Sequence, residues 1–109
     1  ESRQLDLETG AWPLGAAQLS AVVVTHYLHR PILPDIVTAV APGGWLVYET
    51  FAVGNERFGR PSRPDFLLTP GELLDTVRGE LEVAAYEMGE VGGPRPAVLQ
   101  RIAAFRPSR

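Results

Sequence analysis

The stretch VAPGGWLVYETFAVGNERFG, Val40 to Gly59, decides the fold. A Pro-Gly-Gly turn feeds an apolar run, WLVYETF, which stops at a polar loop rich in glycine and arginine. An apolar run without alternation is the pattern of a strand buried on both faces, as in a parallel sheet. The loop that leaves the C-terminal end of such a strand is where open α/β sheets place their ligands. The stretch therefore predicts an α/β fold with a binding site beyond Phe51.

Working outward, the preceding segment PILPDIVTAVA puts Ile32, Leu33, Ile36, Val37 and Val40 on one helical face. Asp35 suits the first turn of that helix, and Pro42-Gly43-Gly44 suits its stop. Before it, LSAVVVTHYLH (Leu19 to His29) is a second β-branched run without alternation, predicted as another buried strand. RQLDLE (Arg3 to Glu8) alternates and reads as a short strand, and TGAWPLGAAQ reads as a loop.

Downstream, Ala52 to Leu68 is too long and too rich in arginine for an ordinary connection, so it is expected to be functional or mobile. TPGELLDTVRG carries helix punctuation: Thr69 as cap, Pro70 in the first turn, Glu72 to close a capping box and Gly79 to stop. LEVAAYE and AVLQRIAAF are two more strands. No crossover helix fits between them, so they are expected to pair as an antiparallel hairpin. The predicted order is β, β, α, β, α, β, β in a single domain of 109 residues.

Composition narrows the function. Net charge is −3, which gives no basic field to attract nucleic acid. No apolar run approaches the roughly 20 residues that cross a bilayer, so a membrane partner is not expected. There is no cysteine, hence no disulfide framework and no thiolate site, which fits a cytoplasmic protein. All ten basic residues are arginine, a bias that fits GC-rich coding in a bacterial genome. The chain begins at Glu1 and its single methionine is Met88, so it reads as a processed chain or a piece of a longer one.

In this order the segments LDLE, AVVVTHYLH, ILPDIVTAVAPGG, WLVYETF, TPGELLDTV and the terminal strand pair resemble the C-terminal half of a class I S-adenosylmethionine-dependent methyltransferase. GRPSRPDFLLTPGEL resembles the tellurite-resistance-like branch in particular. The resemblance implies a partial Rossmann-like sheet whose parallel strands end in an antiparallel β-hairpin. It departs from the family where the family's glycine-rich loop and first strands should stand, because the chain contains no G-x-G. The N-terminal half of the domain is thus expected to be missing, and this chain alone to be inactive.

The resemblance also assigns residues. Asp6 matches the carboxylate that accepts from the adenine amino group of S-adenosylmethionine, with Leu7 beside the base and Thr25 at the end of the first buried strand. His26 and Tyr27 are expected to line the methyl-transfer pocket; the alternative for His26 is a histidine that satisfies backbone groups. Tyr48 and Glu49, with Arg57 and Arg60, are expected to shape the site of a small-molecule acceptor; the alternative for Glu49 is a structural ion pair. A buried Glu49 needs a partner, to be sought among Arg57, Arg60 and Arg63. His26, His29 and Glu49 make a poor metal set, since zinc wants at least three well-spaced ligands, and no metal is expected. Methyl transfer needs orientation rather than a protein nucleophile, which agrees with the absence of a Ser-His-Asp or Cys-His set.

Removal of the family's first strand leaves the AVVVT edge open. An open edge is adhesive, so the chain is expected to self-associate as a dimer through that edge, or to cover it with RQLDLE. The competing reading is a non-catalytic α/β module that self-associates or binds a partner there.

Overall fold

The structure, a computed structural model, describes residues 2–4 and 19–108. Its elements in chain order are β1 (Ser2–Gln4), β2 (Leu19–Thr25), α1 (Leu33–Thr38), β3 (Val40–Phe51), α2 (Glu72–Val77), β4 (Glu82–Val91) and β5 (Ala97–Phe105). The strands form one sheet in the order β1-β2-β3-β5-β4. β1, β2 and β3 run parallel, while β5 lies antiparallel to both β3 and β4. This is the mixed α/β sheet expected, with the terminal hairpin inserted so that its second strand is the inner one.

β1 lies on the outer edge of β2, with Ser2, Arg3 and Gln4 opposite Ala21, Val22 and Val23. The edge expected to be open is therefore paired along those three residues. The rest of RQLDLE, including Asp6 and Leu7, lies outside the described residues, as does the loop after it.

The central strands are not buried on both faces. Along β2, Val22 and Val24 are buried while Val23 and Thr25 are exposed; along β3, Leu46, Tyr48 and Thr50 are buried while Trp45 and Val47 are exposed. The buried face packs against α1 and α2. Val22, Val24, Leu46, Tyr48, Ile102 and Ala104 meet Ile36, Val37, Leu73 and Val77 in one core. The opposite face, with Val23, Trp45 and Val47 each more than 40% exposed, has no covering layer among the described residues. The residue types suit burial on both faces, but the sheet carries helices on one.

Two boundaries differ from the sequence reading. β2 ends at Thr25 because His26 takes a left-handed φ of 53°, which breaks the strand four residues early. Pro42-Gly43-Gly44 does not stop a helix: α1 ends at Thr38 and the turn is an irregularity inside β3, where the register against β2 slips between Leu19 and Ala21. Gly43 has φ +80°, and a Cβ on Gly44 would meet the carbonyl oxygens of Ala41 and Leu19 at 2.9 Å. The tail closes over this bend. Gly43 N–H donates to the Arg106 carbonyl at 2.8 Å, and Arg106 N–H donates to the Gly44 carbonyl at 3.0 Å. The Arg106 guanidinium then caps the end of α1, donating to the Val37 and Val40 carbonyls at 2.8 and 2.6 Å.

α2 begins at Glu72, with Gly71 at its N-cap in a left-handed conformation. Half of the predicted capping box is present: the Glu72 carboxylate accepts from the Thr69 N–H at 2.9 Å. The other half is supplied from the sheet by Gln100, which is fully buried and whose Oε1 accepts from Leu73 N–H at 2.8 Å.

Candidate functional site

The C-terminal ends of β2 and β3 open onto a cleft of about 610 Å³. Its walls come from three places: His26 and Phe51 at the strand ends, Phe58 and Arg60 from the loop after β3, and Arg95 and Leu99 from the hairpin. Three loops meet here because parallel strands end on the same side and the hairpin turns back beside them.

His26 is the hinge of this site. Its N–H donates to the Glu49 carbonyl at 2.9 Å, so the chain still follows β3 at the point where it leaves the sheet. Its ring lies 4.8 Å from that of Phe51, tilted by 33°, and Nε2 stands 3.7 Å from Glu49 Oε2. A non-glycine residue at positive φ is held there by its surroundings, and such positions cluster at functional sites. Thr25 precedes it, exposed at the strand end.

Glu49 finds a different partner from those expected. Its Oε1 lies 3.3 Å from Nε of Arg101. Glu49, Arg101 and Glu87 occupy directly opposed positions on β3, β5 and β4. They form a charged row across the open face, a cross-strand pairing of opposite charges. The expected partners lay in the adjacent loop, whereas the antiparallel register brings Arg101 from a distant part of the chain.

Tyr48 points the other way, into the core, where it is 1% exposed. Its hydroxyl donates to the Tyr27 carbonyl at 2.7 Å. Burial raises its pKa, with smaller contributions from Tyr27 and Glu72, so it stays neutral. Tyr48 therefore braces the turn that carries His26 rather than facing the cleft. Tyr27 is half-buried against the core.

The arginines of the long loop divide. Arg57 is occupied: Nη2 pairs with Glu90 of β4 at 3.2 Å, Nε donates to the Gly54 carbonyl at 3.1 Å, and the guanidinium lies 4.9 Å from the Phe58 ring centroid. Arg60 lines the cleft, and its side chain has no ion pair or hydrogen bond among the described residues. Among those residues no group of three or more His, Asp or Glu is arranged to hold a metal ion.

Four residues that organise the site were not singled out from the sequence. Asn55, 2% exposed, fastens the arginine loop to the hairpin: Oδ1 accepts from Val98 N–H at 3.0 Å, and Nδ2 donates to the Pro61 carbonyl at 3.0 Å. Arg30 grips Glu72 in a two-pronged pair of 2.7 and 2.9 Å and donates to the Leu67 carbonyl at 2.8 Å, anchoring the other end of the loop. That pair depresses the Glu72 pKa and raises that of Arg30. Gln100 and Arg101 complete the set. Amides and ion pairs of this kind carry no motif; only their burial and register reveal them.

No protein-family model matches the sequence, and neither does any curated protein. Solved structures do match the fold. A SAM-dependent methyltransferase from Methanosarcina mazei superposes with a TM-score of 0.65 at 11% identity, covering 94% of this chain and 66% of its own. N-methyltransferase NodS from Bradyrhizobium japonicum gives 0.60 at 15%, covering 86% and 54%, and TehB from Haemophilus influenzae gives 0.57 at 19%, covering 82% and 36%. The chain thus spans less than two thirds of the length of each of these chains. No helix among the described residues is long and apolar enough to cross a membrane. The chain has an α/β fold shared with S-adenosylmethionine-dependent methyltransferases.

Proposed function

We propose that this chain is the C-terminal, acceptor-binding part of an S-adenosylmethionine-dependent methyltransferase that acts on a small molecule, of the tellurite-resistance-like branch. The observation that carries this reading is the cleft at the ends of β2 and β3, formed on a methyltransferase-like sheet by His26, Phe51, Phe58 and Arg60. The apolar face, which has no covering layer among the described residues, supports the partial-domain reading, since parallel sheets of this class are covered on both faces.

The described residues do not by themselves fit the cofactor. His26, just after Thr25, supplies one border of a site at the strand ends, but no carboxylate is among the lining residues to face ribose, and the family's first strand with its G-x-G loop has no counterpart among the described residues. Asp6 and Leu7 remain the proposed adenine contacts. The cofactor would bring the methyl group. This chain's share is to seat the acceptor against aromatic side chains, with His26 at the cleft for proton handling, Glu49 held in place beside it, and Tyr27 next in the chain but packed against the core.

The test is calorimetric titration of S-adenosylhomocysteine into the full product of the gene that encodes this chain, and into this chain alone. Micromolar binding to the full product, with binding to the chain alone much weaker or absent, is expected. Absence of binding to the full product at millimolar ligand overturns the reading.

One observation favours the second reading, a non-catalytic module that self-associates. The apolar surface left open by Trp45, Val47 and Val23 offers a face on which a second copy can pack.

A further inference from the structure

We infer that the cleft beyond β2 and β3 binds a planar aromatic ring carrying an anionic group, and that Arg60 and Arg95 grip that group. This rests on the reading of the cleft as the acceptor site. The charge pattern leads there. Two cations, Arg60 from the loop after β3 and Arg95 from the turn between β4 and β5, line one cleft. Neither side chain has an ion pair or hydrogen bond among the described residues. None of the lining residues is acidic. The cations nearby are already neutralised: Arg57 by Glu90, and Arg101 by Glu49. Two arginines facing one space without a counter-ion repel each other, and an anion relieves that repulsion through charge-assisted hydrogen bonds.

The apolar lining selects the rest of the ligand. His26 and Phe51 present tilted rings 4.8 Å apart, and Phe58 is 37% exposed on the loop side with Leu99 behind. His26 and Phe51 already pack on each other, and the ring surface they and Phe58 leave toward the cleft favours another ring, offset or edge-on, over an aliphatic group of equal size. A volume of about 610 Å³ lies within the range that takes one small ligand and admits a bicyclic ring. The net charge of −3 argues for a small molecule over a polyanion such as nucleic acid.

The experiment titrates the full gene product by calorimetry with three probes: 2-naphthoate, 2-naphthamide and cyclohexanecarboxylate. 2-Naphthoate is expected to bind, and each of the other two about tenfold more weakly, since one lacks the charge and the other the ring. Arg60→Gln and Arg95→Gln should each weaken 2-naphthoate about fivefold to tenfold and leave 2-naphthamide unchanged. Arg78→Gln, at a distant surface pair with Asp75, controls for general loss of charge. Circular dichroism of each variant checks that the fold is intact. Equal affinity for 2-naphthoate and 2-naphthamide, or no binding of 2-naphthoate, overturns the inference. S-adenosylhomocysteine is titrated separately. If it binds while 2-naphthoate does not, the ligand class fails and the methyltransferase reading stands. If 2-naphthoate binds with the expected arginine dependence and S-adenosylhomocysteine does not, the ligand class stands and the methyltransferase reading fails.

Discussion

Asn55 accepts a hydrogen bond from the backbone N–H of Val98 at 3.0 Å, and that bond joins two walls of the cleft. Asn55 opens the arginine loop, and Val98 lies at the start of β5 where the hairpin returns. The loop was expected to be functional or mobile; its first half is fixed by this contact and by the Asn55–Pro61 bond. Asn55→Ala leaves the buried Val98 N–H without a partner, at a cost of about 1–3 kcal/mol. Asn55→Asp keeps the acceptor for Val98 but sets a buried carboxylate against the Pro61 carbonyl, so near neutral pH it should cost at least as much. Urea unfolding of both variants measures this. Equal stability of Asn55→Ala and the parent chain would remove Asn55 from its organising role.

Arg30 and Glu72 predict a pH dependence. The Glu72 pKa is held below its ordinary value near 4.5, chiefly by the hydrogen bonds from Arg30, against a smaller opposing effect of burial. A depressed carboxylate pKa stabilises the fold above the unfolded value, and that stability is lost as pH falls through the folded value. Stability should therefore hold near neutrality and decline below about pH 4.5. Glu72→Gln should cost about 1–2 kcal/mol near pH 7, since the pair is only partly screened by solvent. The gap to the parent chain should narrow as the solution is acidified. Thermal melts of both proteins across this range provide the check, and a gap that widens toward acid contradicts the assignment.

Gln100 makes a sharper case, because it is fully buried. Its amide holds Leu73 N–H at 2.8 Å and the Thr69 carbonyl at 2.9 Å, so it serves both ends of the turn that starts α2. Gln100→Leu fills similar space and leaves Leu73 N–H unpaired, while the Thr69 carbonyl keeps its bond from the Glu72 N–H at 3.0 Å. The expected loss is about 2–3 kcal/mol, dominated by the buried Leu73 N–H. Denaturant titration decides it: a neutral or stabilising outcome means that water reaches these groups.

Much of the fold was legible in residue types and punctuation. The runs AVVVT and WLVY placed β2 and β3, and the short connection between the last two strands required an antiparallel pair. The exposure of one sheet face was not legible, because Val23, Trp45 and Val47 have the composition of buried residues and only the covering layer decides their burial. The Pro-Gly-Gly turn misled for a local reason: it suits a helix stop and a strand irregularity equally, and the pairing of Gly43 and Gly44 with Arg106 selects the second. At the site, His26 and Arg60 were found from their position after apolar strands. The partner of Glu49 was not, since Arg101 reaches it through a register that spans more than fifty residues. Arg95 was missed because a turn arginine carries no pattern until the turn is set beside the strand ends.

The open face yields the last prediction. Trp45 and Phe105 stack at 5.0 Å on that face, with Val47 and Val23 exposed beside them. Strands about 4.8 Å apart and rising about 3.3 Å per residue make this a surface roughly 20 Å across in each direction. That is about 400 Å², roughly half of what one partner contributes to a standard stable dimer, so association through it is weak and shows at high concentration. Two such faces can stack as sheets do in a sandwich, with the Glu49–Arg101–Glu87 row at one side to orient them. The 109-residue chain by itself is therefore expected to self-associate. The β2 edge contributes less than the face, because Ser2–Gln4 already pairs with Ala21–Val23. Val47→Lys puts a charge in the middle of the face at a position 43% exposed, where the folded monomer tolerates it. Sedimentation equilibrium should show the parent chain as a dimer or larger at high micromolar concentration and Val47→Lys as a monomer. A parent chain that stays monomeric under those conditions would show that the face does not bind a second copy. Association unchanged by Val47→Lys would place the contact elsewhere, with the remaining β2 edge at Val24 and Thr25 the next position to block.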